Sequence, residues 1–217
     1  MGLRAALSGS LFSTDHIHFS GGYNFRSLDS TEIYNISNDS FASNTPLIPT
    51  ALYRHCMVKW DTGNKVYLVG GVKSLHGVGT FQTGTHVFDI ETCTFFTLSD
   101  QLQVARESSG CAIVDQDRTL VIAGFNKAGW RLIHSTEILN LHTNTWSAAG
   151  AIPFSGGYNL IPMEGSLYVL AQSGLFYHYN SPNDEWELLS KTTPFDGALS
   201  GQYLPINVNA ASVCQFL

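Results

Sequence analysis

Across 217 residues the chain is 44% hydrophobic, 12% aromatic and only 13% charged, a composition that folds into a globular body and suits short strands joined by many turns. Eleven Lys and Arg against 17 Asp and Glu give a formal net charge of −6, so no nucleic-acid surface is expected. No apolar run approaches the roughly 18 residues that a helical membrane span needs, and no membrane partner is expected.

At the N-terminus, Met1-Gly2-Leu3-Arg4-Ala5-Ala6-Leu7 is broken by Ser8, Gly9 and Ser10, with no convincing cleavage site after it. Residues 2–13 are therefore expected to be a strand inside a repeat, and the compartment defaults to the cytoplasm. The run Ile17-His18-Phe19-Ser20-Gly21-Gly22 has counterparts in Val66-Tyr67-Leu68-Val69-Gly70-Gly71, Leu120-Val121-Ile122-Ala123-Gly124 and Leu167-Tyr168-Val169-Leu170-Ala171-Gln172. Gly22 to Gly71 spans 49 residues, Gly71 to Gly124 spans 53 and Gly124 to Gln172 spans 48. A second alternating segment follows each run: TEIYNISNDSF from 31, THVFDIETCTF from 85, TEILNLHTNTW from 136 and LFYHYNSPNDEW from 175. These close on Phe41, Phe95, Trp146 and Trp186. A period near fifty with this content is the interval of kelch repeats, whose unit is one four-stranded propeller blade. The segments, with their paired glycines and spaced aromatics, resemble that family.

The resemblance implies an all-β, kelch-type β-propeller as a single domain over 1–217. Its blades would cover about 2–49, 50–101, 102–152 and 153–196, with a partial fifth at 197–217. In the second unit, strands are expected at 53–60, 65–70, 85–90 and 95–98. The turns at 61–64 and 91–94 carry the Asp, Asn and Gly that accept left-handed backbone or bond their own main chain. Two leftover strands would leave open edges, so a fragment of a larger propeller is preferred over a four-bladed ring with a lid or an open stack. The closing aromatics Phe41, Phe95, Trp146 and Trp186 are expected between blades, where each buries ~150 to 250 Å².

Chemistry is sparse. Gly21-Gly22, Gly70-Gly71 and Gly77-x-Gly79 lack the following GK[ST] and helix of a phosphate loop, and read instead as strand ends where neighbouring blades crowd. Trp60-Asp61 occurs once and without the period of WD repeats. Eight histidines, among them His16 and His18 on one strand face, show no CxxC or HxxxH spacing, so no metal is expected. No G-x-S-x-G elbow is present, and no catalytic residue or cofactor is expected. Cys56, Cys93, Cys111 and Cys214 do not read as a disulfide framework. Cys56 and Cys111 hold equivalent places in the first strands of adjacent units and read as small buried hydrophobes. Two sequons stand end to end, at Asn35-Ile36-Ser37 and Asn38-Asp39-Ser40, and matter only in a secreted chain.

Binding is expected on the face where the connections from strand two to three and from strand four to the next unit emerge together. Residues 23–30, 72–84 and 125–135 are the long loops, and loops over a rigid scaffold are where binding residues concentrate. Aromatics and Arg dominate interface hot spots. The candidates are Trp130 with Arg131 first, then Tyr23, Arg26, Arg54, His76, Phe81 and Arg106. Arg4, Arg54 and Arg106 recur at one register, and clustered Arg grips carboxylates bidentately. By resemblance to the kelch domains of cullin adaptors, the partner is expected to be a protein or peptide, with an acidic motif. The alternatives are a galactose-oxidase-like propeller enzyme, needing a ligand cluster at the axis, and an extracellular adhesion module.

Overall fold

A computed structural model of the protein describes residues 5–42, 45–60, 62–114, 119–124, 133–153, 158–163, 166–171 and 175–190. Their regular structure is all β. The first sheet contains β1 (Ser8–Ser13), β2 (His16–Ser20), β3 (Thr31–Asn35) and β4 (Ser40–Phe41). The second contains β5 (Cys56–Trp60), β6 (Lys65–Val69), β9 (Thr85–Asp89) and β10 (Thr94–Thr97). Between β6 and β9 a separate hairpin is inserted, β7 (Val72–Leu75) with β8 (Val78–Phe81), where the sequence suggested only a loop. The third sheet contains β11 (Ser109–Val114), β12 (Thr119–Gly124), β13 (Thr136–Asn140) and β14 (Thr145–Ala149). The fourth contains β15 (Tyr158–Met163), β16 (Ser166–Ala171), β17 (Phe176–Asn180) and β18 (Glu185–Ser190). Every pairing is antiparallel between neighbours. First strands of successive sheets lie together, β1 by β5, β5 by β11 and β11 by β15, and no closed ring is present among the described residues.

The repeated turns follow from side-chain chemistry. Each third strand ends in Asn35, Asp89, Asn140 or Asn180, and four residues later the backbone is left-handed, at Asp39, Cys93, Asn144 and Asp184. Asp89 Oδ1 accepts the N–H groups of Glu91 and Thr92, both at 3.0 Å, and Asn140 Oδ1 accepts those of His142 and Thr143 at 2.9 and 3.0 Å. A short polar side chain thus closes the turn by bonding its own main chain. The links between sheets are pinned just as regularly. Ile48, Leu102 and Ile152 are buried and donate their N–H to the carbonyls of Asp29, Thr83 and His134, each two residues before a third strand.

Glycine is required where one sheet meets the next. Gly70 has φ +66°, and a Cβ there would stand 2.6 Å from the carbonyl oxygen of Arg106, which passes beside it at the start of sheet three. Gly21, at φ +63°, would meet the Leu52 carbonyl oxygen at 2.3 Å. The paired glycines are therefore crowding residues, as their position at strand ends suggested.

Alternation builds the core. In β6, Val66 and Leu68 join Ile48, Met57 and Phe88 toward sheet one, while Tyr67 and Val69 join Val87, Leu139 and Trp146 toward sheet three. Sheet three turns Ala112 and Val114 toward Leu160, Leu167, Val169 and Trp186 of sheet four. Trp146 donates its indole N–H to Thr85 Oγ1 at 3.1 Å, and Trp186 donates to the Gly150 carbonyl at 3.1 Å, so each ties its own sheet to the preceding one. Phe95 packs on Phe88 and lies 6.3 Å from His18 of sheet one. Phe41 departs from the expected pattern: it is 48% exposed and touches Tyr34, because no described sheet precedes sheet one to cover its outer strand.

The cysteines overturn the sequence reading. Cys56 and Cys111 form a disulfide with their Cα atoms 6.0 Å apart. Their strand positions are not equivalent but offset by one. Cys56 pairs with Val69, which precedes Gly70, whereas Gly110 pairs with Ala123, which precedes Gly124. A one-residue offset reverses the direction of a strand side chain, so Cys56 faces sheet three and Cys111 faces back. Equivalent cysteines would both have pointed the same way. Cys93 is exposed and free, and Cys214 lies outside the described residues, as does the span 197–217.

Candidate functional site

The loops of sheets one and two are bonded into one surface. Ser27 N–H and Oγ–H both donate to the Ser74 carbonyl at 3.1 Å, and Ser74 N–H donates to Ser27 Oγ at 3.0 Å. Isolated bridges join Tyr23 to Ser27 and Tyr53 to Val72. The Tyr23 and Tyr53 rings lie 5.0 Å apart, and the Arg54 guanidinium sits 5.7 Å over Tyr53. Burial, with the Glu107 carboxylate nearby, raises the Tyr53 phenol above its ordinary pKa.

Above this base project three exposed apolar side chains: Phe25 at 88%, Val78 at 71% and Leu75 at 58% exposure. Leu75 pairs with Val78 across the two-residue turn His76-Gly77, whose φ angles are +51° and +81°. Two positive φ values in succession suit the type I′ hairpin turn, whose twist matches the flanking strands. Phe25 itself is held at φ +58° by the short loop in which Asn24 N–H donates to the Arg26 carbonyl.

Of the expected partner-binding residues, Tyr23, Arg26, Arg54, His76 and Phe81 lie on these bonded loops or at their base. Arg26 and His76 are exposed, and Tyr23, Arg54 and Phe81 are half-buried. Trp130 and Arg131 lie outside the described residues, as does Arg4. Arg106 does not reach this surface. Its side chain is fully buried, and its guanidinium donates to the Val104 and Ser135 carbonyls, to Ser135 Oγ and to Glu137 Oε1 at 2.5 Å. Glu137 in turn accepts the N–H groups of Gln103 and Val104.

The backbone explains why the arginine register fails. Gly22 N–H donates to Leu52 and Gly71 N–H to Arg106, so Arg106 occupies the place of the buried Leu52. Arg54 is matched instead by Ala6 and Ser108, all three left-handed, with Ser108 N–H donating to Arg54 and Arg54 N–H to Ala6. The rim therefore does not carry three arginines in register. Arg54 is also paired, through Nη1 to Glu107 Oε2 at 3.2 Å.

The buried histidines form a second polar group near the same place. Ser20 Oγ lies 2.7 Å from His55 Nε2, His86 Nδ1 bonds Thr97 Oγ1 at 2.8 Å, and His18 packs on Phe88 with ring centroids 4.9 Å apart. Among the described residues no three His, Cys, Asp or Glu side chains gather in a metal-holding group. Burial lowers His18 from an ordinary 6.5 to about 4; burial first, then the charges of His86 and His18, lowers His55 to about 3. Both are thus neutral in the fold, whereas the unfolded chain takes up protons below 6.5. Their contribution is complete above that pH and is lost as the pH falls toward 4 and 3. Thermal melting is expected to decline steadily between pH 6.5 and 4, with His18→Leu flattening the decline. An unchanged slope in that variant would remove His18 from the account.

The arrangement defines a class: an all-β protein of serial four-stranded antiparallel sheets that carries a cross-bonded loop face with exposed apolar side chains. No protein-family model matches the chain, and no curated protein matches it.

Proposed function

We propose that the chain is a protein-interaction module of the kelch-type β-propeller kind, which grips a partner protein through the loop face of its first two sheets. One observation carries the reading: Phe25, Leu75 and Val78 are exposed together on loops that the Ser27–Ser74 bonds hold rigid. Exposed apolar side chains on a fixed scaffold are the anchors of interface cores, with polar residues at the rim. Arg26 and Lys73 supply exposed positive charge beside them, which suits a partner segment with apolar side chains flanked by carboxylates. The repeat period and the serial packing of sheets support the propeller reading of the scaffold.

The test places a photo-crosslinking residue at position 25, at 78, or at exposed Asn183 in the β17–β18 turn on the opposite face. Positions 25 and 78 are expected to yield one common adduct that 183 does not. Phe25→Ser and Val78→Ser are each expected to weaken that complex by about tenfold or more, with melting unchanged. The same adducts from 183, or undiminished capture by both serine variants, would sink the assignment.

A further inference from the structure

We infer that Asn38 is the site of an N-linked glycan, and that Asn35, whose sequon ends just before it, is not. Two independent observations carry this. The first is the Cys56–Cys111 disulfide, which joins sheets two and three within a buried cluster. Structural disulfides persist in oxidising compartments, the secretory route and the extracellular space, where the asparagine of an N-x-[ST] sequon is a modification acceptor. The bond runs against the cytoplasmic default.

The second observation is how differently the fold uses the two sequons. At Asn35 both ends of the carboxamide are occupied: Nδ2 bonds His16 Nε2 at 3.0 Å and Oδ1 accepts the Asn38 N–H at 3.0 Å. The hydroxyl of its sequon serine, Ser37, is bonded to Asp15 Oδ1, which also accepts the Ser37 N–H at 2.9 Å. A sugar on Asn35 Nδ2 would leave that nitrogen a single N–H and set a bulky group where it meets His16 of β2, so that fold and modification conflict.

Asn38 is exposed at the tip of the turn between β3 and β4. The hydroxyl of its own sequon serine, Ser40, donates to Asn38 Oδ1 at 2.5 Å, and no described residue bonds Asn38 Nδ2. The acidic residue between them is turned aside, since Tyr34 O–H donates to Asp39 Oδ1 at 2.7 Å. A glycan at Asn38 therefore leaves every described hydrogen bond in place. In the transfer, Asn38 Nδ2 bonds the anomeric carbon of an oligosaccharide carried on a polyprenyl pyrophosphate. The polyprenyl pyrophosphate leaves, and the amide gives up one proton. The turn lies at the opposite end of the strands from residues 23–30, so the sugar would leave the loop face open.

The test expresses the full chain behind a secretion leader in a eukaryotic cell and reads glycan occupancy by mass, before and after enzymatic release, which leaves aspartate at the occupied position. Non-reducing peptide mapping of Cys56–Cys111 reports on folding in the same sample. One glycan is expected, lost in Asn38→Gln and in Ser40→Ala and kept in Asn35→Gln and Ser37→Ala. A glycan that follows Asn35 overturns the proposal. So does a secreted, disulfide-bonded chain bearing no sugar.

Discussion

Loss of the Cys56–Cys111 bond is expected to lower the stability of the fold by about 4 kcal/mol, the loop-closure value for a cross-link of this span. The cysteines are 55 residues apart, so the bond removes a large set of open conformations from the unfolded chain while joining two sheets that already pack together. The variant Cys56→Ala with Cys111→Ala tests this without leaving a lone buried thiol. Its urea midpoint should fall to that of the reduced protein, and the oxidised parent should stand well above both. Identical midpoints for oxidised and reduced parent would mean that packing between β5 and β11 alone sets the stability of this interface.

A loss of similar size is expected from Arg106→Leu. The substitution copies Leu52, which fills the corresponding place at the start of sheet two. It would nevertheless strand the Glu137 carboxylate, whose side chain is 2% exposed and whose closest cation is Arg106. Breaking a buried ion pair by removing one partner typically costs about 3 to 5 kcal/mol, whereas removing both charges is far milder. The double variant Arg106→Leu with Glu137→Gln should therefore recover most of what the single variant loses, since glutamine still offers an oxygen to the N–H of Gln103 or Val104. Denaturant midpoints of the three proteins decide the matter. Additive losses in the double variant would contradict the ion-pair account.

Much of this fold is legible in the sequence because its rules are local. The Asn or Asp that ends each third strand and the glycines that end second strands act within a few residues of themselves, so their spacing alone marks the sheets. What escapes is set by register between sheets. Cys56 and Cys111 look equivalent by count, and only the pairing of Gly110 with Ala123 reveals the offset that turns them face to face. Arg54 and Arg106 look equivalent for the same reason, and a shift of two residues sends one to the rim and the other into the interior. Leu75 and Val78 carried a usable signal: His-Gly between alternating residues marks a two-residue hairpin, which puts the flanking apolar side chains outward at its tip. Phe25 carried none beyond its place in a loop, since its exposure depends on the Ser27–Ser74 bonds that anchor that loop from another sheet.

The line of main-chain bonds from Ser108 to Arg54 to Ala6 engages no side chain at all. All three positions share a left-handed backbone while holding residues as unlike as serine, arginine and alanine, and only at 54 does the side chain also answer a buried partner, Glu107. Apart from proline and the β-branched residues, which resist that conformation, nearly any side chain is compatible with it. Sites 6 and 108 are thus interchangeable letters on a fixed frame: a library varied only there, with Arg54 kept as the partner of Glu107, would rewrite the chemistry at the base of the loop face while the architecture beneath stayed the same.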